Sequence, residues 1–194
     1  NKIFGESVTE QAIDIKGYNK LVPTEQTITI AVEGNVINFY YTKRADLSYT
    51  VNYLEQRTEN ELAPSKVENN QIYLDEITEQ AIDIKGYNKV DPTEQTITID
   101  VEGNVINFYY TKRTDLSYTV NYLEQGTNAV LDDAKVVNNQ TYLDEVTEEA
   151  IDIKGYDKVA PTEQTITIDV DENVINFYYT KRTDLSYTVK YLEQ

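Results

Sequence analysis

The hexapeptide IDIKGY begins at Ile13, Ile82 and Ile151, so it returns at a fixed interval of 69 residues. The surrounding sequence returns with it. Residues 57–125 and 126–194 differ at 16 of 69 positions, and residues 1–56 and 70–125 differ at 10 of 56. A period this long and this faithful means tandem copies of one small domain. Each copy must close its own core within 69 residues, near the lower limit for an independent domain. The period also narrows function. Spacers, stalks and multivalent binders profit from copy number, and a catalytic centre seldom does.

Composition removes further chemistry. The 194 residues include no Cys, His, Met or Trp. Disulfides, thiol chemistry, Cys-based metal sites and the commonest general base are therefore excluded. No cofactor is expected, and the chain does not read as an enzyme. A net charge of −17 repels nucleic acid and anionic membrane surfaces. No apolar run approaches a membrane span, so no membrane insertion is expected, and no stretch of these residues reads as a signal peptide. The chain starts and stops inside a repeat, which predicts a piece of a longer array. In that phase residues 1–46 are a partial repeat lacking its opening hairpin. Residues 47–115 and 116–184 are complete repeats, and residues 185–194 are the opening strand of a following one.

Along the second copy, residues 49–54 (YTVNYL) alternate and read as a strand, with Tyr49, Val51 and Tyr53 on one face. A polar turn follows. Residues 62–69 then read as a second strand folding back on the first. In residues 75–82 (DEITEQAI) the period changes: Leu74, Ile77, Ala81 and Ile84 sit three and four apart. Asp75 suits an N-cap and Gly86 a stop, so one short helix is expected here. Residues 87–90 read as a short extended piece. Residues 96–101 (TITIDV) alternate strictly, Glu102, Gly103 and Asn104 suit a turn, and residues 105–110 (VINFYY) return as a central strand. Ile97, Ile99 and Val101 are expected to face inward. In the third copy Asp171 and Glu172 replace Glu102 and Gly103, which predicts a strained or different turn. The fold class expected from this order is α+β: tandem small β-grasp-like (ubiquitin-like) repeats, each a mixed sheet with one short helix. Residues 111–117, without Gly or Pro, predict a stiff linker and an elongated array.

The order YTVNYLEQ, YLDEITEQAIDIKGYNKV and TITIDVEGNVINFYYTKR resembles the MucBP (mucin-binding protein) repeat. The matching positions are Tyr49, Val51 and Tyr53, then Tyr73, Ala81, Ile84, Gly86 and Tyr87, then Val105, Phe108, Tyr110 and Lys112. The resemblance implies an extracellular, cell-wall-anchored protein of a Gram-positive bacterium, with its anchor outside this fragment. It also implies host mucin or other glycoprotein glycans as partners.

The candidate glycan-binding residues are Tyr109, Lys112 and Arg113, with Tyr178, Lys181 and Arg182 in the third copy. Sugars stack on exposed aromatic faces, and a cation beside one suits a sialic or sulfate group. The competing reading places Tyr110 in the core, Tyr109 over the other face and the cations at a solvated strand end. Asp169, Asp171 and Glu172, and Asp132 with Asp133, lack the spacing of a calcium loop and read as a solvated acidic face. Lys85 and Asn107 recur in register and offer an isopeptide cross-link that nothing in the spacing selects. Residues 187–194 (YTVKYLEQ) repeat the opening strand, and pairing with the incomplete first unit of another molecule would give head-to-tail chains.

Overall fold

The computed structural model describes all residues from Asn1 to Gln194 and contains no helix. The first copy holds β1 (Ser7–Gln11), β2 (Tyr18–Lys20), β3 (Glu25–Thr29) and β4 (Tyr41–Lys43). The second holds β5 (Leu47–Glu55), β6 (Glu61–Gln71), β7 (Glu76–Gln80), β8 (Tyr87–Lys89), β9 (Glu94–Thr98) and β10 (Val105–Lys112). The third repeats these as β11 (Leu116–Glu124), β12 (Val130–Gln140), β13 (Glu145–Glu149), β14 (Tyr156–Lys158), β15 (Glu163–Thr167) and β16 (Val174–Lys181). The chain divides into two compact units. One comprises Asn1–Asp83 with Lys89–Tyr110, the other Ile84–Asn88 with Thr111–Gln194.

The second copy builds a four-stranded sheet in the order β6-β5-β10-β8 and a separate two-stranded ribbon of β7 and β9. β5 and β10 are parallel, with Thr50 opposite Val105 and Glu55 opposite Tyr110. β6 returns antiparallel on β5 as a hairpin. Pro64 lies in β6, the edge strand, where a missing N–H costs no ladder bond. The third copy has the same two sheets. Alternation on the central strands supplies the core: Val51, Phe108 and Tyr110 are 0 % exposed and Ile106 is 1 % exposed. Tyr53 stacks on Phe108. In the third copy Ala150 and Ile168 complete the cluster, and Val146 and Ile166 of the ribbon pack against it. Tyr110 donates its hydroxyl hydrogen to the Ile82 carbonyl at 3.0 Å, and burial pushes its phenol up to about 12.

The all-β result corrects the α+β expectation, and with it the β-grasp-like description, which requires a helix on the sheet. The segment expected to be helical is β7, antiparallel to β9. Ile77 stands opposite Ile97 and Thr78 opposite Thr96, and the two threonine hydroxyls meet at 2.8 Å. Ile77 and Ala81 are four apart, which satisfies a helical period and a strand period alike. The residue between them that decides is Glu79. Its carboxylate turns inward and accepts hydrogen bonds from the Tyr49 hydroxyl at 2.5 Å and the Lys66 ammonium at 2.6 Å. A polar residue on the inner face thus hid the alternation. Leu74, just before β7, has φ +66°, which no right-handed helical turn admits.

The expected hairpin of residues 96–110 is also absent. β9 pairs with β7, and β10 pairs with β5 and β8, so the turn carries the chain from one sheet to the other. Asn104 holds that corner. Its side chain accepts from the Asp100 N–H at 2.8 Å and donates to the Asp100 carbonyl at 2.7 Å. Gly103 there has φ +76°. In the third copy Glu172 occupies the same left-handed region at φ +58°, so the corner is kept at the expense of backbone strain.

Candidate functional site

Tyr109 and Tyr178 lie on the face of the four-stranded sheet that points away from the core. Tyr109 is half-buried opposite Leu54, and Tyr178 is 36 % exposed opposite Leu123. Beside them runs a polar row. Asn52 donates to the Asn107 side-chain carbonyl at 2.8 Å, and Asn121 does the same to Asn176 at 2.8 Å. Ser65 donates to Asn52 at 2.8 Å. This face offers one aromatic ring and several amide groups per copy.

Strand alternation sends Tyr109 and Lys112 to opposite faces of β10. The arginines are engaged by neighbouring acids. Arg113 makes a two-pronged pair with Asp115, both bonds 2.9 Å. Arg182 pairs likewise with Asp184 at 2.9 and 2.7 Å. Each carboxylate is held below its ordinary value by the guanidinium bonded to it. Lys181 lies 2.9 Å from Glu124. Lys85 and Asn107 are not partners: Lys85 meets Asp169 at 2.7 Å, while Asn107 is bound by Asn52. Asp169 also caps the Val170 N–H at 2.6 Å. No group of three or more acidic side chains is placed to hold a metal ion.

A second constellation went unnoticed in the sequence: the joint between successive copies. Gly86, at φ +78°, lies under the Tyr142 ring, and a Cβ there would meet Tyr142 carbons. Tyr87 meets the same ring edge-on, centroids 5.7 Å apart. The Arg113 N–H donates to the Gly86 carbonyl at 2.9 Å, and the Arg113 carbonyl accepts from the Tyr142 N–H at 2.9 Å. The Lys85–Asp169 pair closes the arrangement. Its hydrogen bond raises the lysine pKa and lowers that of the aspartate.

The preceding joint has the same parts. Tyr73 covers Gly17 at φ +79° and meets Tyr18 at 5.6 Å. Arg44 bridges Gly17 and Tyr73 through 2.9 Å bonds, and Lys16 reaches Asp100 at 2.6 Å. The recurring Gly-Tyr of IDIKGY and the Tyr of YLDE were the available signal. Within one copy the glycine reads only as a helix stop, and nothing there pairs it with the Tyr of YLDE.

No family model matches the chain, and no curated protein matches it. Among solved structures the chain is similar to a streptococcal ancillary pilin, at 14 % identity and a TM-score of 0.32, over 82 % of this chain and 70 % of that one. It is also similar to the crystal structure of Mub-RV, at 13 % identity and a TM-score of 0.25, over 70 % of this chain and 99 % of that one. Both likenesses are weak, and neither fixes a family. No helix is long and apolar enough to cross a membrane.

Proposed function

We propose that this chain is the repeat region of a bacterial cell-surface adhesin of the MucBP type, acting as a spacer that projects a distal binding domain. The unit of function is the 69-residue copy, and the protein is anchored to the cell wall of a Gram-positive bacterium. The observation that carries this reading is the joint. A flexible tether would leave successive copies unconnected. Here the Gly–Tyr contact, the Arg backbone bridge and the Lys–Asp pair recur with the same partners at both junctions. Small-angle scattering tests the spacer. Chains of two, three and four copies should lengthen by a constant increment per copy, and a compact radius insensitive to copy number would contradict it.

A second reading, a carbohydrate-binding module with one site per copy, is favoured by one observation: Tyr178, 36 % exposed, lies along the Asn121–Asn176 row. In that reading Tyr109 and Tyr178 stack on mucin-type sugars, and Lys112, Arg113, Lys181 and Arg182 supply positive charge. Binding on a glycan array that grows with copy number and is lost in Tyr109→Ala/Tyr178→Ala supports it. Silence at every copy number leaves the spacer alone. The same proposal includes head-to-tail pairing of residues 187–194 with residues 36–40 of a second molecule, which sedimentation against concentration would reveal.

A further inference from the structure

We infer that the parallel strand pair at the centre of the second and third copies is a mechanical clamp that resists tension along the chain. Tension carried by the polypeptide enters the second copy at the N-terminal end of β5 and leaves at the C-terminal end of β10. Only Arg113, Thr114 and Asp115 separate β10 from β11, so load passes directly from one pair to the next.

Direction is what makes the pair a clamp. β5 and β10 are adjacent, parallel and in register from Thr50 opposite Val105 to Glu55 opposite Tyr110. The two loaded ends therefore lie at opposite ends of one ladder. Pulling them slides one strand along the other and loads the evenly spaced hydrogen bonds together. An antiparallel pair loaded at its termini would open bond by bond.

Further bonds lengthen the ladder at both ends. The Thr50 N–H donates to the Asn104 carbonyl at 2.9 Å, and the Gln56 N–H to the Tyr110 carbonyl at 2.8 Å. β6 and β8 flank the pair on either side, and Val51, Ile106 and Phe108 seal one face. Water therefore has poor access to the bonds under load. β11 and β16 repeat the register, with Thr119 to Asn173 and Gln125 to Tyr179 bonds of 2.9 Å. The first copy has no such pair: β4 is bonded to β2 alone. Load bearing deepens the spacer reading, because a stalk under shear must not unravel, but the geometry stands without that reading.

Single-molecule pulling on the whole chain tests the clamp. The chain has no cysteine, so handles can be placed at will on exposed positions. Ala45→Cys with Thr114→Cys loads β5 and β10 at opposite ends of the ladder. Gln56→Cys with Thr114→Cys loads both at the same end. Forced rupture follows the unfolding rate along the pulled direction rather than equilibrium stability. The first pair should therefore rupture at several times the force of the second while denaturation midpoints match. Pulled from its termini, the chain should give two high-force events, each releasing roughly 20 nm. Equal forces in the two directions at matched midpoints, or no high-force event, overturn the inference. Neither result bears on glycan binding or on the scattering increment, so the spacer reading fails or survives separately.

Discussion

Residues 36–43 and Val105–Lys112 have the same sequence, VINFYYTK, and different structures. In the second copy all eight residues form β10. In the first copy only Tyr41–Lys43 form a strand. Phe108 is 0 % exposed, whereas its counterpart Phe39 is only half-buried. Tyr40 is 67 % exposed. The difference lies in the partner. β10 has β5 beside it in parallel register, and residues 36–40 have no strand to meet. Residues 187–194 make the same point from the other side: close to β5 in sequence, they form no strand, and Tyr191 is 95 % exposed. Strand propensity is equal in each comparison, so tertiary pairing decides.

The largest expected effect separates the two phenylalanines. Phe108→Ala removes a fully buried ring stacked on Tyr53 and should cost about 3–5 kcal/mol in chemical denaturation of the second copy. Phe39→Ala should stay within about 1 kcal/mol, and equal costs would break the comparison. Next come Gly86 of the joint and its third-copy counterpart Gly155, which no ring covers. Gly155→Ala meets no atom within 4 Å and should cost about 1–2 kcal/mol for its left-handed backbone alone. Gly86→Ala must also displace Tyr142, so it should cost more and loosen the joint, visible as altered relative tumbling by NMR. A smaller gain is expected from Glu172→Gly, which relieves the left-handed strain at φ +58° and should stabilise the third copy by up to about 1 kcal/mol.

The smallest effect is acid sensitivity. Desolvation raises the Glu79 pKa, but the Lys66 ammonium and the Tyr49 hydroxyl together outweigh it, and the net shift is downward. Lys66 is correspondingly raised to about 12. A carboxylate whose folded pKa is depressed contributes stability that is present above its unfolded value and lost as pH falls through the folded one. Glu79→Gln should therefore flatten the acid limb of the second copy's stability curve below about pH 4, read by thermal denaturation across pH. An unchanged acid limb would show that this cluster does not couple to folding.

Much of each copy was legible in its sequence. The alternation of Tyr49, Val51 and Tyr53 announced the inner face of β5, and residues 62–69 announced a returning strand. β7 was illegible because Glu79 is a polar residue pointing inward, a placement explained only by Lys66 and Tyr49 arriving from two other strands. The false hairpin came from a good turn sequence serving a corner between sheets, where Asn104 replaces backbone partners. Of the candidate site, the exposure of Tyr178 was foreseeable. The engagement of Arg113 by Asp115 lay two residues away in plain view. The joints were not legible, since Gly86 and Tyr142 belong to different copies and meet only in three dimensions.

Residue-resolved hydrogen exchange in one sample is the most direct test of the claim that the parallel partner, and not the local sequence, orders these strands. Amides of residues 106–109 should exchange through global opening of their copy, orders of magnitude more slowly than those of residues 37–40, which should exchange through local fluctuation. Equal protection of the two identical sequences would contradict the account.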